Sequence, residues 1–218
     1  MVRAVLFDFD FTLGDSADAI VHCSRAAFAD MGLTPAEPSA IRRTIGLTLQ
    51  DSFRALTLDP APARADEYTC CYVAHADRVM TAMTTVYEPA AHVLASMRAR
   101  GVGTAIVSTK YRYRIESILH HCGLAGAVDV IVGGEDVNRH KPDPEGLERA
   151  LAGLGVAGSN ALYVGDHPVD GRAAAAAGVG FVRVLTGEDH GDDWAGIQPL
   201  ATIPDVGALL SVIDGLST

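Results

Sequence analysis

The chain has 218 residues, 49% of them hydrophobic, with 17 Lys and Arg against 27 Asp and Glu for a formal charge of −10. That content can bury the interior of one large α/β core, alone or with a small second domain, and it excludes disorder for most of the chain. A net negative charge without any basic run excludes a nucleic-acid backbone and an anionic membrane surface as partners.

Residues 4–7 form an apolar run that stops at Asp8, as a strand buried on both faces does. Arg3 and Asp8 interrupt the N-terminal run, no small-residue cleavage site follows it, and no stretch is long enough to span a bilayer, so a cytoplasmic protein is expected. Residues 16–85 carry helical patterns and no convincing strand. An amphipathic stretch over 16–31 ends at Gly32, short helices follow over 38–45 and 47–56, and a long one over 63–83 starts after Pro60-Ala61-Pro62.

From about residue 87 the pattern alternates. Helices over 89–100, 112–121, 145–154 and 172–177 are interleaved with strands over 102–107, 128–132, 161–164 and 181–185, and a surface helix closes the chain over 205–213. Alternation of this kind implies βαβ units. The expected fold is therefore α/β: a Rossmann-like parallel sheet core of residues 1–15 and 86–218 with an inserted α-helical cap of residues 16–85. Cys23, Cys70, Cys71 and Cys122 lack metal or disulfide spacing and read as free, mostly buried thiols.

Polar clusters fall at the strand ends or the adjoining helix entry, where open α/β sheets bind ligands. Asp8-Phe9-Asp10-Phe11-Thr12 follows the first strand, Ser108-Thr109-Lys110 the second, and Gly165-Asp166-His167-Pro168-Val169-Asp170 the fourth, while Lys141-Pro142-Asp143-Pro144 precedes a helix. Lys110 and Lys141 are also the chain's two lysines, against fifteen arginines.

With these motifs the sequence resembles the haloacid dehalogenase superfamily, in its phosphatase branch with a helical cap, and most closely phosphoglycolate phosphatases. The resemblance implies Asp8 as nucleophile, Asp10 as general acid and base, Ser108, Thr109 and Lys141 as phosphate binders, and a Mg²⁺ site at Asp8, Asp10 and Asp166. Elementary chemistry agrees. An Asp carboxylate can form a phospho-intermediate, and a second one can protonate the departing alkoxide and then activate water. Asp8, Asp10, Asp166 and Asp170 beside a dianionic phosphate demand cations, which Mg²⁺ and Lys141 supply.

Blander roles suit several neighbours. Asp170 reads as a holder of Lys141 and a helix cap more than as a direct ligand, Thr12 as a loop hydroxyl, His167 as structural, and His120-His121 as surface. Lys110 reads as a solvated side chain or an active-site one. Phe11 stands where the family commonly has Gly, which brings a ring to the entrance and leaves the backbone geometry there open.

The expected reaction is Mg²⁺-dependent hydrolysis of a small, phosphoglycolate-like phosphomonoester by a monomer or weak homodimer. Arg42, Arg43, Thr44 and Gln50 are the cap candidates for substrate choice, against a solvated helix face. A pyrophosphatase would share the core motifs. Asp10 counts against a dehalogenase, and the lack of lysine before residue 110 against a cap Schiff base. Ile20, twelve residues past Asp8 where mutases of this fold usually have His, counts against a sugar phosphomutase. The intact carboxylates and Lys141 count against an idle phosphate-binding protein.

Overall fold

A computed structural model describes residues 1–216. In chain order the elements are β1 (Ala4–Phe7), β2 (Gly14–Asp15), α1 (Ala17–Asp30), α2 (Pro38–Arg42), α3 (Leu49–Thr57), α4 (Pro62–Met83), β3 (Thr85–Val86), α5 (Glu88–Ala99) and β4 (Gly103–Val107). They continue with α6 (Arg112–His121), β5 (Val130–Val132), α7 (Glu145–Leu154), β6 (Ala161–Gly165), α8 (Pro168–Ala176), β7 (Gly180–Val184), β8 (Ala201–Ile203) and α9 (Leu209–Leu216).

Six strands form one sheet in the order β5-β4-β1-β6-β7-β8, and every pairing is parallel. β1 is central because it is apolar on both faces. Val5 and Phe7 pack into one side of the core, Ala4 and Leu6 into the other, and all four are fully buried. Chain order reverses at β1, with β4 on one side and β6 on the other, so the crevice beyond its C-terminal end is the switch point where such sheets bind ligands. Phe7 is in register with Ile106 and Val164, which carries Asp8 to the level of the β4 and β6 ends.

The helices α1–α4 form the cap, packed on an aromatic cluster. The Tyr68 ring lies 5.3 Å from Phe53 and 5.5 Å from Phe28, and its hydroxyl donates to Ser24 Oγ at 2.8 Å. The antiparallel pair β2–β3 joins cap and core, Gly14 facing Val86 and Asp15 facing Thr85. On one flank α4 is tied to α6, where Arg114 Nη2 meets Asp77 Oδ1 at 2.7 Å and Tyr113 donates to the same oxygen at 2.7 Å. Among the described residues no helix is long and apolar enough to cross a membrane.

Several elements differ from the sequence expectation. β8 is a sixth strand, three residues long and paired only with β7, too short to show an alternation of its own. β2 and β3 are two-residue strands, fixed by their pairing across the hinge. α8 starts at Pro168 rather than 172, because His167 and Asp170 cap its first turn. α9 runs over Leu209–Leu216, after a 3₁₀ turn in which Asp205 accepts the Gly207 N–H at 2.7 Å. The thiols are not mostly buried: Cys23 is, Cys71 is half-buried, and Cys70 and Cys122 are exposed. Cys71 lies one position, about 100°, round α4 from the exposed Cys70 and is itself only half-buried.

Candidate active site

The loop leaving β1 turns sharply. The Phe9 carbonyl accepts the N–H groups of Leu13 and Gly14 at 2.9 and 3.1 Å, and the Phe11 N–H donates to Gly14 O at 2.7 Å. Phe11 has φ +58°, the left-handed conformation that Gly adopts without strain. Packing holds it there: the ring is 4% exposed and sits among Ala17, Ile20 and Ile45, with the Arg42 guanidinium 5.8 Å from its centroid. The ring thus folds under the cap, and a non-Gly residue holds the left-handed turn.

Beyond the strand ends, Asp8, Asp166 and Asp170 each offer a carboxylate oxygen within 4.8 Å of the others, and all three are buried. Lys141 Nζ lies among them, 3.1 Å from Asp8 Oδ2 and 2.6 Å from Asp170 Oδ1. It also donates to the Tyr163 hydroxyl at 3.1 Å. Burial disfavours the ammonium, yet Asp170 and Asp8 outweigh it and hold Lys141 above the ordinary lysine range. Asp8 is pushed upward by burial, with Lys141 opposing and Asp170 adding to the rise. Asp166 goes well above the carboxylate range through burial and then through Asp170 and Asp8.

Asp170 is fully engaged. Oδ1 takes Lys141, and Oδ2 takes the His167 N–H at 3.1 Å, closing the α8 cap. That is the holding and capping role its place in the sequence suggests. Thr12 Oγ1 donates to Asp166 Oδ1 at 3.3 Å, and His167 Nδ1 accepts the Val169 N–H at 3.2 Å. Burial, then His190, lowers His167 to about 3 and keeps it neutral. Two glycines make room for the carboxylates: a Cβ on Gly187 would fall 2.0 Å from Asp166 Oδ2, and one on Gly165 2.5 Å from Asp170 Oδ2.

Asp10 stands apart from this trio. Its Oδ2 pairs with Lys110 Nζ at 3.2 Å, and its Oδ1 is buried without a hydrogen-bond partner. Burial raises its pKa and Lys110 opposes the rise. The Lys110 side chain is 5% exposed, so it is buried against Asp10 and not solvated. Ser108, 7% exposed at the end of β4, accepts the Lys110 N–H at 3.3 Å, and Thr109 Oγ1 reaches the cap at Gly46 O, 3.3 Å away.

Between cap and core lies a cavity of about 60 Å³, lined by Asp10, Lys110, Thr109 and Arg114 and by apolar cap residues including Ile20 and Ile41. Of the cap candidates only Thr44 reaches it. Arg42 turns away to Glu188 Oε1 at 2.9 Å and Asp18 Oδ1 at 3.3 Å, Arg43 is exposed, and Gln50 is outside the lining. Tyr163 and Gly187, which shape the carboxylate cluster, carry no motif signal in the sequence, whereas Gly165 opens the Gly165–Asp170 cluster already read there. Lys110 carried one, its rarity.

The sequence profile of the family described as "Haloacid dehalogenase-like hydrolase" matches residues 5–184. A phosphoglycolate phosphatase of Rhodospirillum rubrum is 31% identical over 217 residues, covering 96% of this chain and 90% of that protein. One of Aquifex aeolicus is 29% identical over 212 residues, covering 94% and 91%. A crystal structure from Bacteroides fragilis, described as haloacid dehalogenase-like, superposes with a TM-score of 0.91 at 38% identity, covering 96% of this chain and all of that one. The chain belongs to the haloacid dehalogenase-like hydrolases, and its aspartate cluster on that fold makes it an enzyme of their phosphatase branch.

Proposed function

We propose that this enzyme hydrolyses a small phosphomonoester, about the size of phosphoglycolate, through an aspartyl phosphate on Asp8, with Mg²⁺ as cofactor and the cytoplasm as its compartment. The observation that carries the reading is the pair of carboxylates on one loop in opposite settings. Asp8 lies against Lys141 among further carboxylates, and Asp10 lies against Lys110 in the lining of the cavity under the cap. The names of the curated relatives support a small organic phosphate. Residues 16–85 serve as the lid and the remainder as the chemical core.

The donor set suits Mg²⁺, being oxygen only. Asp8 and Asp166 would hold the ion, with Asp170 beside them holding Lys141, which it meets at 2.6 Å against 3.1 Å for Asp8. When bound there, Mg²⁺ neutralises charge on the phosphoryl oxygens. An Asp8 oxygen attacks phosphorus while the ester bond breaks, and the leaving alkoxide takes a proton from the Asp10 carboxyl group, whose hold on it burial strengthens and Lys110 opposes. Asp10 then removes a proton from the water that attacks the aspartyl phosphate, phosphate leaves, and both carboxyl groups return to their starting states. Ser108, Thr109 and Lys141 hold the phosphoryl group through both steps.

The test is release of phosphate with Mg²⁺ from a panel of small monoesters and from pyrophosphate. The expected result is a larger kcat/KM for the best monoester than for pyrophosphate. The reverse order would favour the pyrophosphatase reading.

Metal binding also has a pH signature. Carboxylates raised above 3.8 in the folded state contribute stability below that value and lose it as pH climbs through their folded values. The metal-free protein should therefore weaken with rising pH, while a cation that displaces those protons binds better. The Mg²⁺-induced rise in Tm is expected to be larger at about pH 8 than at about pH 5. Equal increments at both would contradict a metal site made of these carboxylates.

A further inference from the structure

The cavity under the cap says more about the substrate, given the phosphatase reading above. Its lining takes Asp10 from the catalytic pair and Thr109 from the phosphoryl holders, while Asp8, Ser108, Lys141 and Asp166 are absent from it. It therefore adjoins the phosphoryl site at Thr109 and extends beyond the ester oxygen that Asp10 protonates, where the alcohol half lies. A single water needs roughly 10–15 Å³ on this measure, so about 60 Å³ accepts roughly four to six heavy atoms.

Its walls are mainly apolar, built from Ile41, Ile45, Leu47 and Leu49 on the cap and Tyr72 and Met80 across from them. Three lining residues carry charge: Asp10, Lys110 and Arg114. Neither cation is free. Lys110 Nζ is 3.2 Å from Asp10 Oδ2. Arg114 gives Nε and Nη2 to Asp77 Oδ1 at 3.2 and 2.7 Å and Nη2 to the Val73 carbonyl at 3.3 Å, and its guanidinium lies 5.2 and 5.1 Å from the Tyr111 and Tyr113 rings. Four of the six lining hydroxyls are engaged as well, Thr44 with Ile41 O at 2.8 Å, Ser52 with Thr44 O at 3.3 Å, Tyr68 with Ser24 Oγ at 2.8 Å and Thr109 with Gly46 O at 3.3 Å, which leaves the neutral phenols of Tyr72 and Tyr111. The first turn of α3, which supplies Leu49, is capped by Thr48 and already carries Asp51.

We infer that the preferred substrate is the phosphate ester of a compact, uncharged, largely apolar alcohol, and that a second anionic group on the substrate is selected against. A carboxylate or second phosphate here would be desolvated against apolar walls with no unpaired cation to receive it. An apolar group of the same size would gain by burial.

The experiment compares phosphoglycolate with isobutyl phosphate, which replaces the carboxylate oxygens by methyl groups, on the full-length enzyme with Mg²⁺. The expected kcat/KM for isobutyl phosphate is larger by about tenfold or more, the scale on which a pocket rejects a group it cannot pair. Asp77→Asn, at a half-exposed position, releases Arg114 from its carboxylate, and Leu49→Arg adds a cation to the wall. Each should move the ratio toward phosphoglycolate. Asp8-dependent turnover that favours phosphoglycolate in the unaltered enzyme, or a ratio unmoved in both variants, would overturn the inference while leaving the phosphatase reading in place. Failure to release phosphate from any monoester would overturn that reading and the inference with it.

Discussion

Asp8→Asn is expected to lower turnover by at least about 10³-fold while leaving the protein folded, a loss on the scale seen when other enzymes lose their nucleophile. The amide is nearly isosteric and cannot form the acyl phosphate. Folding should survive because Lys141 keeps Asp170 at 2.6 Å. The Tm without Mg²⁺ should hold or rise, since the substitution removes one negative charge from a buried cluster that already raises the pKa values of Asp8 and Asp166. Phosphate release and a thermal melt on the same sample check both halves. A folded Asp8→Asn protein with near-normal turnover would end the aspartyl phosphate reading.

The parts of this site legible in the sequence are those that depend only on topology. A parallel sheet puts the residue after each strand at one edge, so Asp8, Ser108 and Asp166 come together once the strands are read, and Lys141 follows from its place before a helix. Asp170 was legible too, as a residue placed to hold Lys141 and cap the next helix, although that helix starts at Pro168 and not at 172.

What depends on side-chain direction was not legible. Lys110 sits on a loop, and only the approach of Met80 on α4, 3.5 Å from its Nζ, and of Asp10 shows that it turns inward. On the cap, Arg42 and Arg43 are polar residues on or beside a five-residue helix, and the sequence orders their directions only relative to each other. The structure gives the cavity to Ile41 and Thr44 and sends Arg42 across to Glu188 on the core, an acid remote in sequence. Phe11 shows the converse: the left-handed turn read as a glycine position tolerates a ring because cap and core bury it. β8 was missed for a related reason, since three residues at a sheet edge are defined by the neighbour they pair with.

Lys141→Met should carry the largest loss of stability of any change at the site. The side chain is 5% exposed and faces carboxylates that are 2% and 0% exposed, and its removal strands both. Breaking a buried pair by deleting one partner costs about 3–5 kcal/mol, far more than the pair itself contributes over an apolar substitute. The sign with pH follows from Asp8. Burial already raises its pKa and Lys141 holds it down, so without the lysine the value climbs further. Stability contributed by a raised carboxyl group is present at low pH and lost as pH rises through the folded value, so the deficit against the unaltered protein should be larger at about pH 8 than at about pH 5. Urea denaturation at the two values measures it. Adding Asp170→Asn should recover part of the loss, because it removes one of the stranded charges, and the interaction energy from the double-mutant cycle then belongs to the Lys141–Asp170 contact. Activity should not return with stability, since the phosphoryl group still lacks its lysine. Recovery of turnover in the double variant would show that Lys141 serves to hold Asp8 and Asp170 together and not to bind phosphate.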